Sequence, residues 1–203
     1  MRIETEEDLA RGFAQLCEME PIFTIISKPL PLRRRPDGFG ALMNAIVGQQ
    51  VSTASASAIW SRLQAAGFDR EEAVFQSTDE DLKRCGLSRP KVRYARALAE
   101  ARLDYGALRG ASASDVVQTL ITVPGIGRWT AEIYAKFALG HADVFAAGDL
   151  ALQEGAKLLF SLPARPSEKE MRTMAEAWSP VRAIAARALW AYYREKTKRE
   201  GAI

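Results

Sequence analysis

Apolar residues along this chain recur at three- and four-residue intervals, and no convincing pair of alternating segments suggests strands. Thr5-x-x-Asp8 can cap an opening helix with Leu9, Phe13, Leu16 and Cys17 on one face, and Pro21 follows it. Pro29, Pro31 and Pro36 frame Arg33-Arg34-Arg35, which reads as a loop. The spacing predicts a helix from about Phe39 to Gln50. A second begins after Ser52, carries Ala56, Ile59, Trp60 and Leu63 on one face, and stops at Gly67. Ser77-x-x-Glu80 reads as a capping box for a short helix ending at Gly86, and Ser88 with Pro90 opens one running to about Leu103. Ser112-x-x-Asp115 caps the helix that enters Pro124-Gly125-Ile126-Gly127. Ser167-x-x-Glu170 caps one over Met171 to Trp178, and Pro180 precedes a long last helix, Val181 to Lys196. The pattern predicts an all-α protein of about ten helices, with no tandem repeat. The N-terminal segment is expected to return to the C-terminal helices in a two-lobed arrangement whose boundary no linker marks.

Composition narrows the function classes. The chain has 203 residues, 48% hydrophobic and 26% charged, which suits a globular protein with a buried core. The net charge of +3 neither reveals nor excludes a nucleic-acid partner, because a whole-chain sum hides local patches. Cys17 and Cys85 read as buried small apolar residues, and two cysteines with one histidine cannot supply a four-thiolate cluster or a His/Cys zinc site. There is no apolar run long enough to cross a membrane and no apolar signal core at the N-terminus, so a cytoplasmic location is expected, with nucleoid association when DNA is bound.

The chemistry concentrates between Leu120 and Asp149. Pro124 ends one helix, and Gly125 and Gly127 permit a tight turn before the next. Without side chains in the way, the Gly127 and Arg128 amides can approach an anion, and the following helix N-terminus adds partial positive charge. Such a cradle grips a DNA phosphate without reading sequence. A plain helix–helix turn competes with this reading. Leu120, Val123, Thr130, Ala131 and Ile133 around the turn are placed to pack the two helices at a fixed angle, which favours the cradle. Asp149 ends a small apolar approach, Phe145-Ala146-Ala147-Gly148, and can cap the next helix. At the same position it could face C1′ of a bound nucleotide, stabilise the cation formed as a glycosidic bond breaks, and orient water.

These residues carry a resemblance. The stretch from Leu120 through Gln153 resembles the helix-hairpin-helix–Gly-Pro-Asp superfamily of base-excision DNA glycosylases, and within it the alkylbase branch of the 3-methyladenine DNA glycosylase II type. The junction Gln49-Gln50-Val51-Ser52, the segment Leu87-Ser88-Arg89-Pro90-Lys91, and Trp178-Ser179-Pro180-Val181-Arg182 with Leu189-Trp190 are similar to further family motifs, so the likeness spans about residues 40 to 192. It implies a helical core with the active-site cleft between two lobes, no N-terminal β domain and no iron–sulfur cluster.

Carried over residue by residue, the resemblance makes Asp149 the catalytic carboxylate. Pro124, Gly125, Ile126, Gly127, Arg128 and Thr130 become the DNA-binding hairpin. The carbonyls of Ile121, Val123 and Ile126 become the holders of a structural Na+ or K+, with no cofactor required. Trp129 stands where lyase-competent relatives carry a nucleophilic lysine. An indole cannot form the Schiff base that leads to strand cleavage, so a monofunctional enzyme is expected. Trp129 and Trp190 are implied pocket aromatics, suited to bases made cationic by alkylation. Trp60 and Trp178 read as core. Ile133 and Leu150 replace tyrosines found in some relatives. Gln50 is the implied wedge that fills the gap left by a flipped base, although Gln49 and Gln50 could instead cap neighbouring backbone.

Arg33-Arg34-Arg35 and Arg89, Lys91, Arg93 and Arg96 could meet phosphates, whereas Arg194, Lys196, Lys198 and Arg199 read as a solvated tail and His141 as a surface loop residue. The expected partner is duplex DNA with alkylated bases, bound by a monomer. The expected activity is hydrolytic release of alkylated purines, mainly 3-methyladenine, leaving an abasic site. A glycosylase for another damaged base and a non-catalytic DNA-binding module are the competing readings.

Overall fold

Hydroxyl and carboxylate side chains decide where seven of these helices begin. In the computed structural model, which describes residues 1–198, twelve α-helices and one 3₁₀ turn follow in order. They are α1 (Glu6–Met19), the 3₁₀ turn (Pro21–Ile25), α2 (Phe39–Gly48), α3 (Thr53–Ala65), α4 (Glu71–Gln76), α5 (Asp79–Arg84) and α6 (Arg89–Glu100). Then come α7 (Tyr105–Gly110), α8 (Ala113–Leu120), α9 (Arg128–Phe137), α10 (Leu150–Leu159), α11 (Glu168–Glu176) and α12 (Arg182–Thr197). Thr5 and Ser167 form full capping boxes with Asp8 and Glu170, and Ser52 and Ser112 accept the amides of Ser55 and Asp115. Each such cap satisfies an amide that the helix itself leaves without a partner.

One cap differs from expectation. The box opening α5 is Thr78 with Asp81, not Ser77 with Glu80. Ser77 is already the C-cap of α4, its amide donating back to Ala73 and Val74, so the following hydroxyl takes the N-terminal role. The short helices α4 and α7 and the 3₁₀ turn raise the count above about ten, because a run of six residues is too short to show a helical period. Among the described residues the sole bridge of β type joins Arg2 to His141.

The chain divides into two compact units. One comprises Arg35–Tyr134. Its core takes Leu42, Met43, Ile46 and Val47 from α2, Val92, Ala95 and Leu98 from α6, and Val116, Val117 and Leu120 from α8. The Lys91 ammonium is buried and donates to the Val47 carbonyl at 2.6 Å, closing the last turn of α2. Lys91 is therefore a structural cap and not a phosphate contact. Arg96 is likewise spent internally, on the carbonyls of Val74 and Ser77 and on Asp79.

The other unit comprises Met1–Arg34 and Ala135–Ile203. Small residues bring its helices together: a Cβ on Gly12 would collide with Ile184 on α12, and one on Gly155 of α10 would lie 2.7 Å from the Leu189 carbonyl. Trp178 is the centre of an aromatic cluster with Phe23, Phe145 and Phe160, at ring-centroid distances of 5.6, 5.6 and 5.9 Å. His141 is buried, not a surface loop residue: the N-terminal segment lies against it through the Arg2 bridge. Burial, then Arg2, then the N-terminal ammonium press its pKa from 6.5 down to about 4. Cys85 is buried at the end of α5, whereas Cys17 is half-buried; both are free thiols. Of the basic tail, Arg199 lies outside the described residues.

Candidate active site

The hairpin is built by two glycines with different duties. Gly125 has a φ of +92°, and a Cβ there would sit 2.3 Å from the Tyr94 ring, so backbone and packing both demand glycine. Gly127 is exposed, has no left-handed backbone, and a Cβ built on it would meet no heavy atom within 4 Å. Space on its Cβ side is open. Pro124 and Arg128 are exposed beside it, while Ile126 and Thr130 are buried and hold the turn to its helices. Turn bonds run from the Val123 amide to the Leu120 carbonyl and from the Ile126 amide to the Val123 carbonyl, at 3.1 and 3.0 Å. Among the described residues the Ile121 and Ile126 carbonyls receive no backbone amide outside regular helix, and Val123 uses one of its two lone pairs. Neutral carbonyl oxygens are the donor type that an alkali cation would take.

Gln49 and Gln50 part company at the end of α2. The Gln49 side-chain amide donates to the Gly125 carbonyl at 2.9 Å, tying this elbow to the hairpin within one unit. Gln50 is exposed and holds a φ of +57°, a conformation that costs a non-glycine residue about 1 kcal/mol or more. The strained, outward residue is thus the one assigned as wedge, and its neighbour performs the backbone capping.

Asp149 is the N-cap of α10 and is only 3% exposed. Sequence places the carboxylate where it could face C1′ of a bound nucleotide; the structure holds it nearly buried. Its Oδ1 accepts from the amides of Ala151 and Leu152 at 2.9 and 3.0 Å and from the Trp190 indole N–H at 3.1 Å. The capping role and the candidate chemical role therefore share one residue. The loop leading to it is pinned at every second position. Asp143 accepts two hydrogen bonds from Arg182, at 2.5 and 3.0 Å, and one from Ser179. Phe145 lies against Trp178, and the Ala147 carbonyl accepts from Gln153 at 2.9 Å. Trp178, Ser179, Arg182 and Trp190 thus all serve one loop.

Trp190 is buried at 8% exposure, stacked on Phe137 at 5.9 Å between ring centroids, and bonded to Asp149. Its assigned role as a pocket aromatic is joined by a second, orienting one. Trp129 is half-buried on the first turn of α9. Ile133 is buried, whereas Leu150, directly after Asp149, is 60% exposed. Sequence reasoning missed Lys136. It is fully buried on α9, with Nζ 3.8 Å from the centroid of the Trp190 ring. The signal was available: one lysine stands inside an otherwise apolar run, Ala135 to Ala138, seven residues beyond Trp129 and so on the same helix face. Among the described residues no group of three or more His, Cys, Asp or Glu side chains is placed to bind a metal, and no helix is long and apolar enough to cross a membrane.

A helical chain with a glycine hairpin that leaves backbone amides open, and a buried carboxylate capping a later helix, has the parts of a DNA-directed hydrolase. Residues 43–180 match the model of the HhH-GPD superfamily of base excision DNA repair proteins, and the chain belongs to that family. It is 28% identical over 162 residues to an alkylbase DNA glycosidase-like protein of Schizosaccharomyces pombe, covering 75% of this chain and 76% of that one. It is also 28% identical to DNA-3-methyladenine glycosylase 1 of the same organism over 172 residues, covering 80% of this chain and 75% of the relative. The solved DNA-3-methyladenine glycosidase of Bacillus halodurans superposes with a TM-score of 0.85 at 28% identity, over 98% of this chain and 94% of that one.

Proposed function

We propose that this protein is a monofunctional DNA glycosylase that flips alkylated purines, mainly 3-methyladenine, from duplex DNA and hydrolyses the N-glycosidic bond. The observation that carries the reading is Asp149: a carboxylate at a helix N-terminus, its Oδ1 fixed by two amides and an indole. A fixed, nearly buried negative charge stabilises an oxocarbenium-like transition state without reorganising, and in a low-dielectric setting its field is strong. The names of the two yeast relatives and of the Bacillus structure support the alkylbase assignment.

Each remaining residue receives a physical task. The Gly127 and Arg128 amides hold a phosphate, with the start of α9 behind them. Carbonyls of Ile121, Val123 and Ile126 would hold an alkali ion, which would supply positive charge at the hairpin; hydrolysis itself requires no cofactor. Gln50 fills the space vacated by the flipped base. Extrusion costs a few kcal/mol, least at damaged pairs, so it contributes to selectivity. Trp129 offers an indole to a cationic base and, having no amine, leaves the strand intact. The enzyme acts as a monomer.

The test is base release from methylated and from single-lesion duplexes. Wild-type protein should free the base and leave strands that break only on alkali or heat. Asp149→Asn should abolish release while keeping or improving affinity for DNA, since a negative charge near phosphates is removed. Normal excision by that variant would overturn the catalytic assignment. Prompt nicking by the wild type would overturn monofunctionality.

A further inference from the structure

Lys136 is a buried group near Asp149 that the reading above leaves unused. Its side chain is 1% exposed, and among the described residues its ammonium has no hydrogen-bond partner. Leaving a buried charge without such partners is costly, so something else must define its place. Two rings do: Nζ lies 3.8 Å from the Trp190 centroid and 5.0 Å from that of Phe137. Trp190 in turn donates to Asp149 Oδ1. Amine, indole and carboxylate form a line across α9, α12 and the start of α10.

We propose that Lys136 is a positioning residue for base release, acting through the Trp190 indole on Asp149, and that loss of its proton switches the carboxylate to its more active setting. The inference rests on the assignment of Asp149 as the catalytic carboxylate. As an ammonium, Lys136 draws on the indole π density, which makes the ring N–H a stronger donor and draws charge from Oδ1. It also sets a positive charge beside the place where the sugar becomes cationic. Both effects oppose bond cleavage. As a neutral amine it keeps the ring seated by packing and removes both penalties.

The surroundings favour that neutral form. Burial, Arg187 on α12 and Arg33 in the loop before α2 all lower the Lys136 pKa well below its ordinary range, while Asp149 on α10 opposes them. These are the charged groups facing it from the packed elements. Arg187 lies over Phe137, 4.9 Å from guanidinium carbon to ring centroid, and spends two donors on the Ala183 and Leu32 carbonyls.

Single-turnover base release as a function of pH tests the proposal, across the range in which duplex DNA stays paired. Wild-type rates should climb several-fold through one transition that is absent from both Lys136→Met and Lys136→Arg. The methionine variant should hold the upper rate throughout and the arginine variant the lower. Methionine is isosteric enough, and removes an orphaned amine, so it should fold at least as well as the parent. Superimposable profiles for wild type and Lys136→Met would sink the idea. An independent reading is the ¹⁵N–¹H signal of the Trp190 indole, which should shift with pH in the wild type and stay still in Lys136→Met; an indole signal indifferent to pH in both proteins would also overturn it. That measurement needs no catalysis. If Asp149→Asn still excises while the indole signal titrates, the carboxylate assignment has failed and the Lys136 contact has not.

Discussion

Trp190 shows how one side chain serves packing and chemistry together. Its ring stacks on Phe137 and its N–H reaches Asp149. Trp190→Phe keeps the ring and loses the donor, so stability should fall by only about 1 kcal/mol. Excision should fall more, because the carboxylate loses one of the three donors that fix its orientation; single-turnover rates against urea midpoints measure the two separately. The Asp149 carboxylate and the hairpin glycines were legible in the sequence because their spacing is local. The lysines were not. Lys91 and Lys136 look like solvated charges on a one-dimensional reading, since what buries them, the Val47 carbonyl and the Trp190 ring, arrives from 44 residues away in one case and from another helix in the other.

At the scale of elements, the approach of α10 to α12 sets the site. Gly155 admits the Leu189 backbone, and the next residue is Trp190. Gly155→Val should separate the helices, lower stability by about 1–3 kcal/mol through overpacking, and break the indole–carboxylate bond, seen as loss of base release in protein that remains folded. Arg182→Met should have a related effect, unpinning Asp143 at the loop start while leaving α10 intact, with a lower excision rate and little change in DNA affinity. Helix starts were legible wherever a single hydroxyl stood before an acidic residue, as at Thr5, Ser112 and Ser167. They were ambiguous at Ser77-Thr78, where two adjacent hydroxyls each face an acid three residues on. The backbone of α4 settles the register there. Thr78→Ala should cost about 1 kcal/mol and leave excision unchanged.

For the molecule as a whole, charge and pH act through few groups. The net charge of +3 is small, so DNA affinity should depend on local contacts and fall as salt rises, with a slope that counts phosphates neutralised. His141 ties global stability to pH. Its pKa is lowered in the folded state from 6.5 to about 4, so the unfolded chain binds the extra proton between those values. Stability is therefore full above about pH 6.5, declines as pH falls toward about 4, and levels below that. Melting temperatures of wild type and His141→Gln across this window should converge as the medium becomes acidic. This burial could not be read from the sequence, because the cover over His141 is the first strand-like contact of the chain, 139 residues earlier.

The amide of Gln49 resting on the Gly125 carbonyl has a mechanical meaning. It ties the elbow that carries Gln50 and the glycine turn into a single calliper of fixed span. On the proposed roles, a turn settled on a phosphate would bring the Gln50 side chain down a set number of nucleotides away. Search along DNA would then become a matter of trying one gauge at each step, with a soft, poorly stacked pair yielding most readily.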